Sequence, residues 1–424
     1  MQEHYFPLLI RPEALQREKE HLQGFAGEVA WITRFGAQPL NTDFAIRPTS
    51  ETIVNWYLQH SLLKSPKQLP LKISQWANVL RWEAKSCLPF VRSREFLWQE
   101  GHSSFATQAE AETETEQMIG IYAKVYSELL AVPLISGIKS KRETFAGALQ
   151  TRTLECLVPA AGKAIQACTA HHLGQNFSRM FNLSLEGLEC EFPFQNSWGI
   201  TTRAIGVALM VHSDNVGIVL PPAVAPIQVS IIPCGLKSAN AANSIFNAQI
   251  MHKCNQIHAL LTEIGVRSEV DDAEEETAGF KFNKQEFNGI PLRIEVGPKE
   301  LHESAPLTVC KRTELTRTQI QSIQEVPGML QQIQREIYNR ASRELSTLIE
   351  GPATSFEELE SIVVLKKHFA LFHWCQQQEC EEAISQRVKG KVICIPIEQQ
   401  QESNRKCLNC QQEASVTALF GNSF

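Results

Sequence analysis

Four arginines stand out by their neighbours: Arg81 in Arg81-Trp82-Glu83, Arg92 and Arg94 in Arg92-Ser93-Arg94-Glu95-Phe96-Leu97-Trp98-Gln99-Glu100-Gly101-His102, and Arg203 closing Ser197-Trp198-Gly199-Ile200-Thr201-Thr202-Arg203. A planar guanidinium presents paired donors to phosphate or carboxylate oxygens and can also stack on an aromatic ring. Grouped in this way, the arginines suit a site that clamps a polyanion and holds a phosphate in line for attack. Activation of a carboxylic acid by ATP needs such a clamp, so the reading is of a chain that handles ATP and a small amino acid together. The plainer alternative is a solvated sheet face. Arg81, Glu83, Arg92 and Arg94 alternate with apolar or small residues and would then form ion pairs, with Trp82, Phe90, Phe96 and Trp98 as core.

Further polar groups sit beside apolar runs. Arg47-Pro48-Thr49-Ser50-Glu51-Thr52 precedes a helical pattern, so Thr49 or Ser50 can be an ordinary helix cap; alternatively a hydroxyl and a carboxylate there could hold a charged amine. Gln166-Ala167-Cys168-Thr169-Ala170-His171-His172 is a polar knot after an apolar strand, where a histidine is usually structural and the doublet is a weak metal signal. The cysteines near the end are a sharper signal. Cys375 and Cys380, with four residues between them, are followed after 26 residues by Cys407 and Cys410, with two between them. Two tight pairs suit a tetrahedral Zn2+ with no open position, hence a structural one. The other eight cysteines, Cys156 and Cys168 among them, read as small core residues.

The elements expected to position these groups follow from periodicity. Helices are expected at Pro12–Ala26, Ser50–Leu63 and Ala109–Leu130, and a buried one at Thr201–Val211. Strands are expected at Ala30–Phe35, Phe44–Ile46, Val132–Ile138, Thr151–Val158 and Lys163–Thr169. Leu71–Glu83 and Phe90–Phe105 should pair as an antiparallel hairpin about a polar loop at Lys85–Pro89. Long antiparallel strands with helices give an α+β domain. After the rigid break Pro221-Pro222-Ala223-Val224-Ala225-Pro226, strands at 227–233, 267–270, 292–296 and 307–311 with a helix at 238–264 read as a small α/β domain. A connecting helix at 329–348 leads to a glutamine- and cysteine-rich unit.

Bulk properties bound the rest. A chain of 424 residues should divide into two or three domains. The formal charge of −6 argues against a generic phosphate-backbone binder but allows a local basic patch that docks one structured RNA. Twelve scattered cysteines favour reduced thiols over a disulfide framework. No apolar run reaches the roughly 18 residues that span a bilayer, and Met1-Gln2-Glu3-His4 opens no signal peptide. A cytoplasmic protein without a membrane partner is expected.

Taken as an ordered set, the segments above, with Phe145-Ala146-Gly147 and His171-His172-Leu173-Gly174-Gln175-Asn176-Phe177, resemble the class II prolyl-tRNA synthetases of the type with a C-terminal zinc-binding domain. The resemblance runs from about Tyr5 to Phe424. It implies a class II catalytic domain over residues 1–222, an α/β anticodon-binding domain over 223–330, and a zinc-binding domain with its connecting helix over 331–424. It implies ATP with Mg2+, L-proline and tRNA(Pro) as ligands, and a homodimer when the N-terminal region is present. Arg81 would bridge substrate carboxylate and α-phosphate, Glu83 would lie near the adenine amino group, and Arg92, with Ser93, would reach the γ-phosphate. Arg203 would pack on adenine beside Thr201. Gln166 to Thr169 would touch ATP, with Gln166 near magnesium. Thr49, Glu51 and His171 match proline-binding positions, Trp98 and Phe145 wall the ring, and the four late cysteines fall on the zinc positions.

The chain departs from the family pattern in places. It opens at Tyr5-Phe6-Pro7, which resembles the end of the first class II motif, so the helix that builds the dimer interface is expected upstream or lost. Cys168 and Ala170 stand where alanine or glycine and serine are usual, Phe424 replaces a terminal tyrosine, and Ala223 replaces a basic residue. A non-catalytic relative that binds tRNA or a protein partner is the alternative this opens.

Overall fold

Strand Leu71–Leu80 alternates buried positions with less buried ones, of which Trp76 is exposed, the period-2 pattern of a sheet with one face on the core. In the computed structural model, which describes residues 1–424 apart from 18–28, 83–86, 237–240, 274, 303 and 399–404, this strand lies near one edge of an eleven-stranded sheet. From that edge the order is Gln2–Glu3, Leu71–Leu80, Glu95–Phe105, Phe194–Thr201, Lys163–Gly174, Gln150–Val158, Ile135–Ile138, Lys391–Pro396, Val416–Gly421, Phe369–Trp374 and Ile349–Ala353. Every pairing from Leu71–Leu80 to Phe369–Trp374 is antiparallel; the two outermost are parallel. Strand segments from the arginine-bearing and cysteine-bearing parts therefore share one sheet, joined where Ile138 meets Ile395.

The chain forms two compact units. The larger comprises Met1–Lys124, Leu134–Val207 and Leu345–Phe424; the smaller comprises Val125–Pro133 and Ala208–Glu344. The smaller unit is α/β: a five-stranded mixed sheet in which Val229–Pro233 pairs parallel with Ser268–Val270 and Leu292–Val296, and Leu307–Lys311 continues it antiparallel. Ile231, Ile294 and Val309 meet Ile250, Cys254, Ile257 and Leu261 of the helix Ala241–Glu263 in its core.

Several expectations shift. The expected helix at Pro12–Ala26 appears as Pro12–Arg17, its remainder lying outside the described residues. The hairpin forms, but its second strand starts at Glu95 rather than Phe90. Phe90 takes φ 59° inside a tight turn closed by the Leu88–Arg92 bridge, a conformation that ends strand pairing. The strand expected at Lys163–Thr169 runs on to Gly174 and so takes in the whole polar knot at 166–172. The helix Arg203–His212 is buried only in part, since Ile205 is exposed. Strand Arg317–Ile320 and helix Ala278–Phe287 lack a clear apolar period and were not expected. Trp82 and Phe90 are exposed rather than core. So are Cys87 and Cys190 among the eight cysteines read as core.

Candidate active site and metal centre

The antiparallel register fixes which side chains meet. Trp198 pairs with Gly101, and a Cβ on Gly101 would lie 2.2 Å from the Trp198 ring. Only glycine lets that indole lie flat across the neighbouring strand. The inward residues of these strands, together with the turn before helix Glu51–Tyr57, line one cavity of the larger unit. Its wall includes Thr49, Glu51, Arg81, Trp98, Phe145, Gln166, Thr169, His171, Thr201 and Arg203. Residues from six separate stretches of sequence thus converge. Arg92 and Ser93 are not on this wall; Arg92 is half-buried in the Leu88–Arg92 turn. Glu83 lies outside the described residues.

The arginines are aimed by backbone carbonyls. Arg81 Nε donates to Pro48 O at 2.9 Å, and its guanidinium lies 5.4 Å from the Phe96 ring and 5.9 Å from that of Trp98. Arg203 donates from Nε to Val91 O at 2.9 Å and from Nη1 to Gln166 O at 3.1 Å, while its backbone N–H donates to Thr201 Oγ1. One turn further along the helix, Gly206 lets it press on the 88–92 turn: a Cβ there would come within 2.9 Å of Phe90 Cβ. Closeness at Gly206 is what brings Val91 O within reach of Arg203.

At the other end of the cavity Thr49 Oγ1 donates to Glu51 Oε2. Ser50 makes no side-chain cap bond; its hydroxyl donates to Glu100 Oε1 at 2.5 Å. Capping by the Ser50 side chain is therefore not what the structure adopts. Behind them Gln75 Nε2 donates to Ser50 Oγ at 2.9 Å and to Glu100, and Gln75 Oε1 accepts from Phe6 N at 3.1 Å. Buried polar groups so fully interlinked specify one geometry. His102 Nε2 lies 3.2 Å from Glu100 Oε2. Burial alone would lower its pKa, but that bond and the charges of Glu100 and Glu51 leave it raised.

His171 behaves oppositely. Burial pushes its pKa down; Glu51 pulls it up, Arg81 and His102 push it further down, and it falls to about 4. At neutral pH the ring is uncharged. Its Nδ1 lies 2.9 Å from Thr151 Oγ1 and its Nε2 3.0 Å from Thr169 Oγ1, while Phe145 stacks at a tilt 4.6 Å away. A neutral ring beside Glu51 leaves the carboxylate to attract a cation. Two buried atoms, Trp98 Nε1 and Ser197 Oγ, have no hydrogen-bond partner among the described residues, as expected on a wall where a ligand supplies partners.

Sequence reasoning missed Glu100, Glu143, Thr151 and Ser197 on this wall. For Glu100, Thr151 and Ser197 the signal was present as polar residues on strands, but inwardness depends on a register that one strand alone does not reveal; Glu143 lies in a turn, where no periodicity applies.

The four late cysteines meet as the spacing predicted. Their sulfur atoms all lie within 4.8 Å of one another, with Cys410 and Cys375 at 3.8 Å. Tetrahedral ligation with Zn–S bonds of about 2.3 Å requires sulfurs about 3.8 Å apart. Burial raises the Cys407 thiol, but backbone N–H groups of Cys410, Asn409 and Cys375 outweigh it and bring the pKa down to about 7. Asn409 Nδ2 donates to Cys380 Sγ at 3.4 Å. Burial pushes the Cys375 and Cys380 thiols up instead, so it is the convergence of four sulfurs at tetrahedral spacing that makes the donor set fit.

Known proteins with this arrangement can now be named. The chain is 42% identical to the proline–tRNA ligase of Encephalitozoon cuniculi over 448 aligned residues, covering 100% of this chain and 87% of that protein. The chain belongs to the prolyl-tRNA synthetases. Among other prolyl-tRNA synthetases, the cytoplasmic proline–tRNA ligase of Arabidopsis thaliana is 39% identical, over 99% of this chain and 79% of that one. The profile of the tRNA synthetase class II core domain (G, H, P, S and T) matches residues 32–212, that of the anticodon binding domain 228–333, and that of the prolyl-tRNA synthetase C-terminal domain 356–424. Crystal structures of the prolyl-tRNA synthetase of Cryptosporidium parvum superpose over 100% of this chain and 85% of theirs. The complex with halofuginone and AMPPNP gives a TM-score of 0.93 at 38% identity, and the complex with L-proline and AMP gives 0.92 at 37%.

Proposed function

We propose that this chain is an ATP-dependent proline–tRNA ligase. The carboxylate of L-proline attacks the α-phosphorus of ATP, pyrophosphate leaves, and a prolyl-adenylate remains; the 3′ end of tRNA(Pro) then attacks its carbonyl and AMP leaves. The observation that carries this reading is the convergence of Arg81 and Arg203 with Thr49, Glu51 and neutral His171 on one wall. The carboxylate is already ionised, so the step needs no general base; rate comes from positioning and charge stabilisation.

In this reading Arg81 binds both the proline carboxylate and the α-phosphate, and Arg203 packs on adenine beside Thr201. Gln166 and Thr169 touch ATP. Glu51 and Thr49 receive the two N–H donors of proline's secondary ammonium, and Trp98 and Phe145 enclose its ring. Arg92 and Ser93 would have to approach the outer phosphates from the 88–92 turn, and Glu83 the adenine. Magnesium, when bound, neutralises phosphate charge; the Gln166 side-chain oxygen is a suitable hard ligand to share with the phosphates. Zinc on Cys375, Cys380, Cys407 and Cys410 would tie strand, helix and loop together without chemistry of its own. Division at residues 222 and 330 into catalytic, anticodon-binding and zinc-binding domains, a homodimer, and a cytoplasmic location complete the proposal. No described helix is long and apolar enough to cross a membrane.

Proline-dependent exchange of labelled pyrophosphate into ATP tests the reading. Exchange is expected with proline and not with alanine at equal concentration. Exchange indifferent to proline defeats the substrate assignment, and none under any amino acid defeats the enzymatic reading.

A further inference from the structure

The segment 140–148 carries two wall residues of the cavity, Glu143 and Phe145, and its anchors come from much later in the chain. Lys391 Nζ lies 2.8 Å from Glu143 Oε2. Ser140 Oγ donates to Glu381 Oε1 at 2.9 Å, both residues being buried. Just before the segment, Lys139 Nζ donates to Ile393 O at 2.7 Å and pairs with the buried Glu155 at 2.6 Å. Gly137 lies so close to the same strand that a Cβ would fall 2.7 Å from Cys394 Sγ. Within the segment, Glu143 N and Thr144 Oγ1 both donate to Ser140 O. Anything that fixes Ser140 therefore fixes this turn. From its far end Phe145 N donates to Thr151 Oγ1, which in turn meets His171 Nδ1.

We propose that Lys391 and Glu381 are positioning residues for the amino-acid end of the cavity, acting through Glu143 and Ser140 to set where Phe145 stands against the bound ring. The proposal rests on the reading of this cavity as a proline-activating site. Neither residue lines the cavity. Both belong to the part of the chain that holds the thiolate cluster, and Glu381 directly follows Cys380 in the helix Gln378–Val388. The cysteine-bearing region thereby contributes to amino-acid affinity as well as to stability. An ion pair as exposed as Lys391–Glu143 adds little to folding, so its removal should show in substrate position first.

Pyrophosphate exchange on the full chain separates the possibilities. Lys391→Met should raise KM for proline about threefold. Combined with Ser140→Ala the rise should be about tenfold, with KM for ATP and kcat unchanged within about twofold. Lys391→Arg should restore the wild-type KM. In parallel, amide hydrogen exchange of residues 141–148 should quicken in Lys391→Met while the smaller unit is unaltered. An unchanged KM for proline together with unchanged amide protection overturns the proposal, and so does a joint rise in both KM values, which would mean general loosening. Wild-type protein without proline-dependent exchange would instead defeat the functional reading; the amide experiment would still decide whether Lys391 holds the segment.

Discussion

Two arginines of the cavity wall and three of the smaller unit show different hydrogen-bond partners. On the cavity wall, Arg81 and Arg203 donate to the carbonyls of Pro48, Val91 and Gln166. Such bonds aim a guanidinium but cancel none of its charge. Three arginines of the smaller unit meet carboxylates: Arg293 reaches Glu286 at 2.7 Å and Glu295 at 3.1 Å, Arg317 reaches Glu295 at 2.8 Å, and buried Arg312 grips Asp214 with two bonds of 2.7 and 2.9 Å. The Arg312 bonds, outweighing partial burial, bring the Asp214 pKa down to about 2. A carboxylate on an arginine adds an ion pair that helps to hold the fold, whereas a carbonyl bond aims the guanidinium without itself neutralising it. The same side chain thus serves stability in one unit and, in the proposed function, chemistry in the other.

Substitution should expose that contrast most strongly at Arg81. Arg81→Ala is expected to lower proline-dependent exchange about 1,000-fold, roughly 4 kcal/mol of lost transition-state stabilisation, while unfolding in urea shifts by about 1 kcal/mol for one carbonyl bond. Arg312→Ala should do the reverse, costing about 2 kcal/mol of stability in the smaller unit and leaving exchange per folded molecule unchanged. Exchange within tenfold of wild type for Arg81→Ala, or a specific activity loss for Arg312→Ala, would erase the distinction. Within the cavity the contrast sharpens further. Glu51→Gln keeps the shape but removes the charge opposite the proposed ammonium, so KM for proline should rise about tenfold, or ~1.4 kcal/mol, with KM for ATP held. Equal rises in both would assign Glu51 to shaping the cavity rather than to the amine.

Much of this was legible from sequence where the signal is local. The cysteine pairs needed only their spacing, and the hairpin bearing Arg81 needed only alternation and an intervening polar loop. The family resemblance marked ten residues that do share the cavity wall. What stayed hidden depended on register and packing. Glu100 and Gln75 form a network across strands whose pairing no single strand encodes. Phe90 read as a strand start because its residue type favours strands, yet close approach of the helix at Gly206 and the Leu88–Arg92 bridge make it a turn with positive φ. The dependence of segment 140–148 on Lys391 links residues 248 apart in sequence, a separation at which periodicity carries no information.

A further effect is one of pH, and it compares two histidines. His171 on the cavity wall and His212 in the smaller unit are both lowered to about 4, burial being the first cause for each. An unfolded chain gives histidine a pKa near 6.5. As pH falls through 6.5 the unfolded state takes up the proton first, so the stability that each neutral ring contributes is complete above about pH 6.5. It is lost progressively down to about pH 4, below which both states carry the proton. Raised His102 runs the other way: its contribution is whole below about pH 6.5 and disappears as pH rises through its folded value. The urea-unfolding free energy of wild type minus that of His171→Asn should therefore fall steadily between pH 6.5 and 4 and stay flat from pH 7 to 8. His212, whose Nε2 meets Leu130 O at 2.8 Å, should give the same slope through His212→Gln but without any change in KM for proline. A difference that does not vary with pH for His171→Asn would mean that the cavity admits enough water to let the ring titrate normally, and proline's ammonium would then share the site with a cation below pH 6.5.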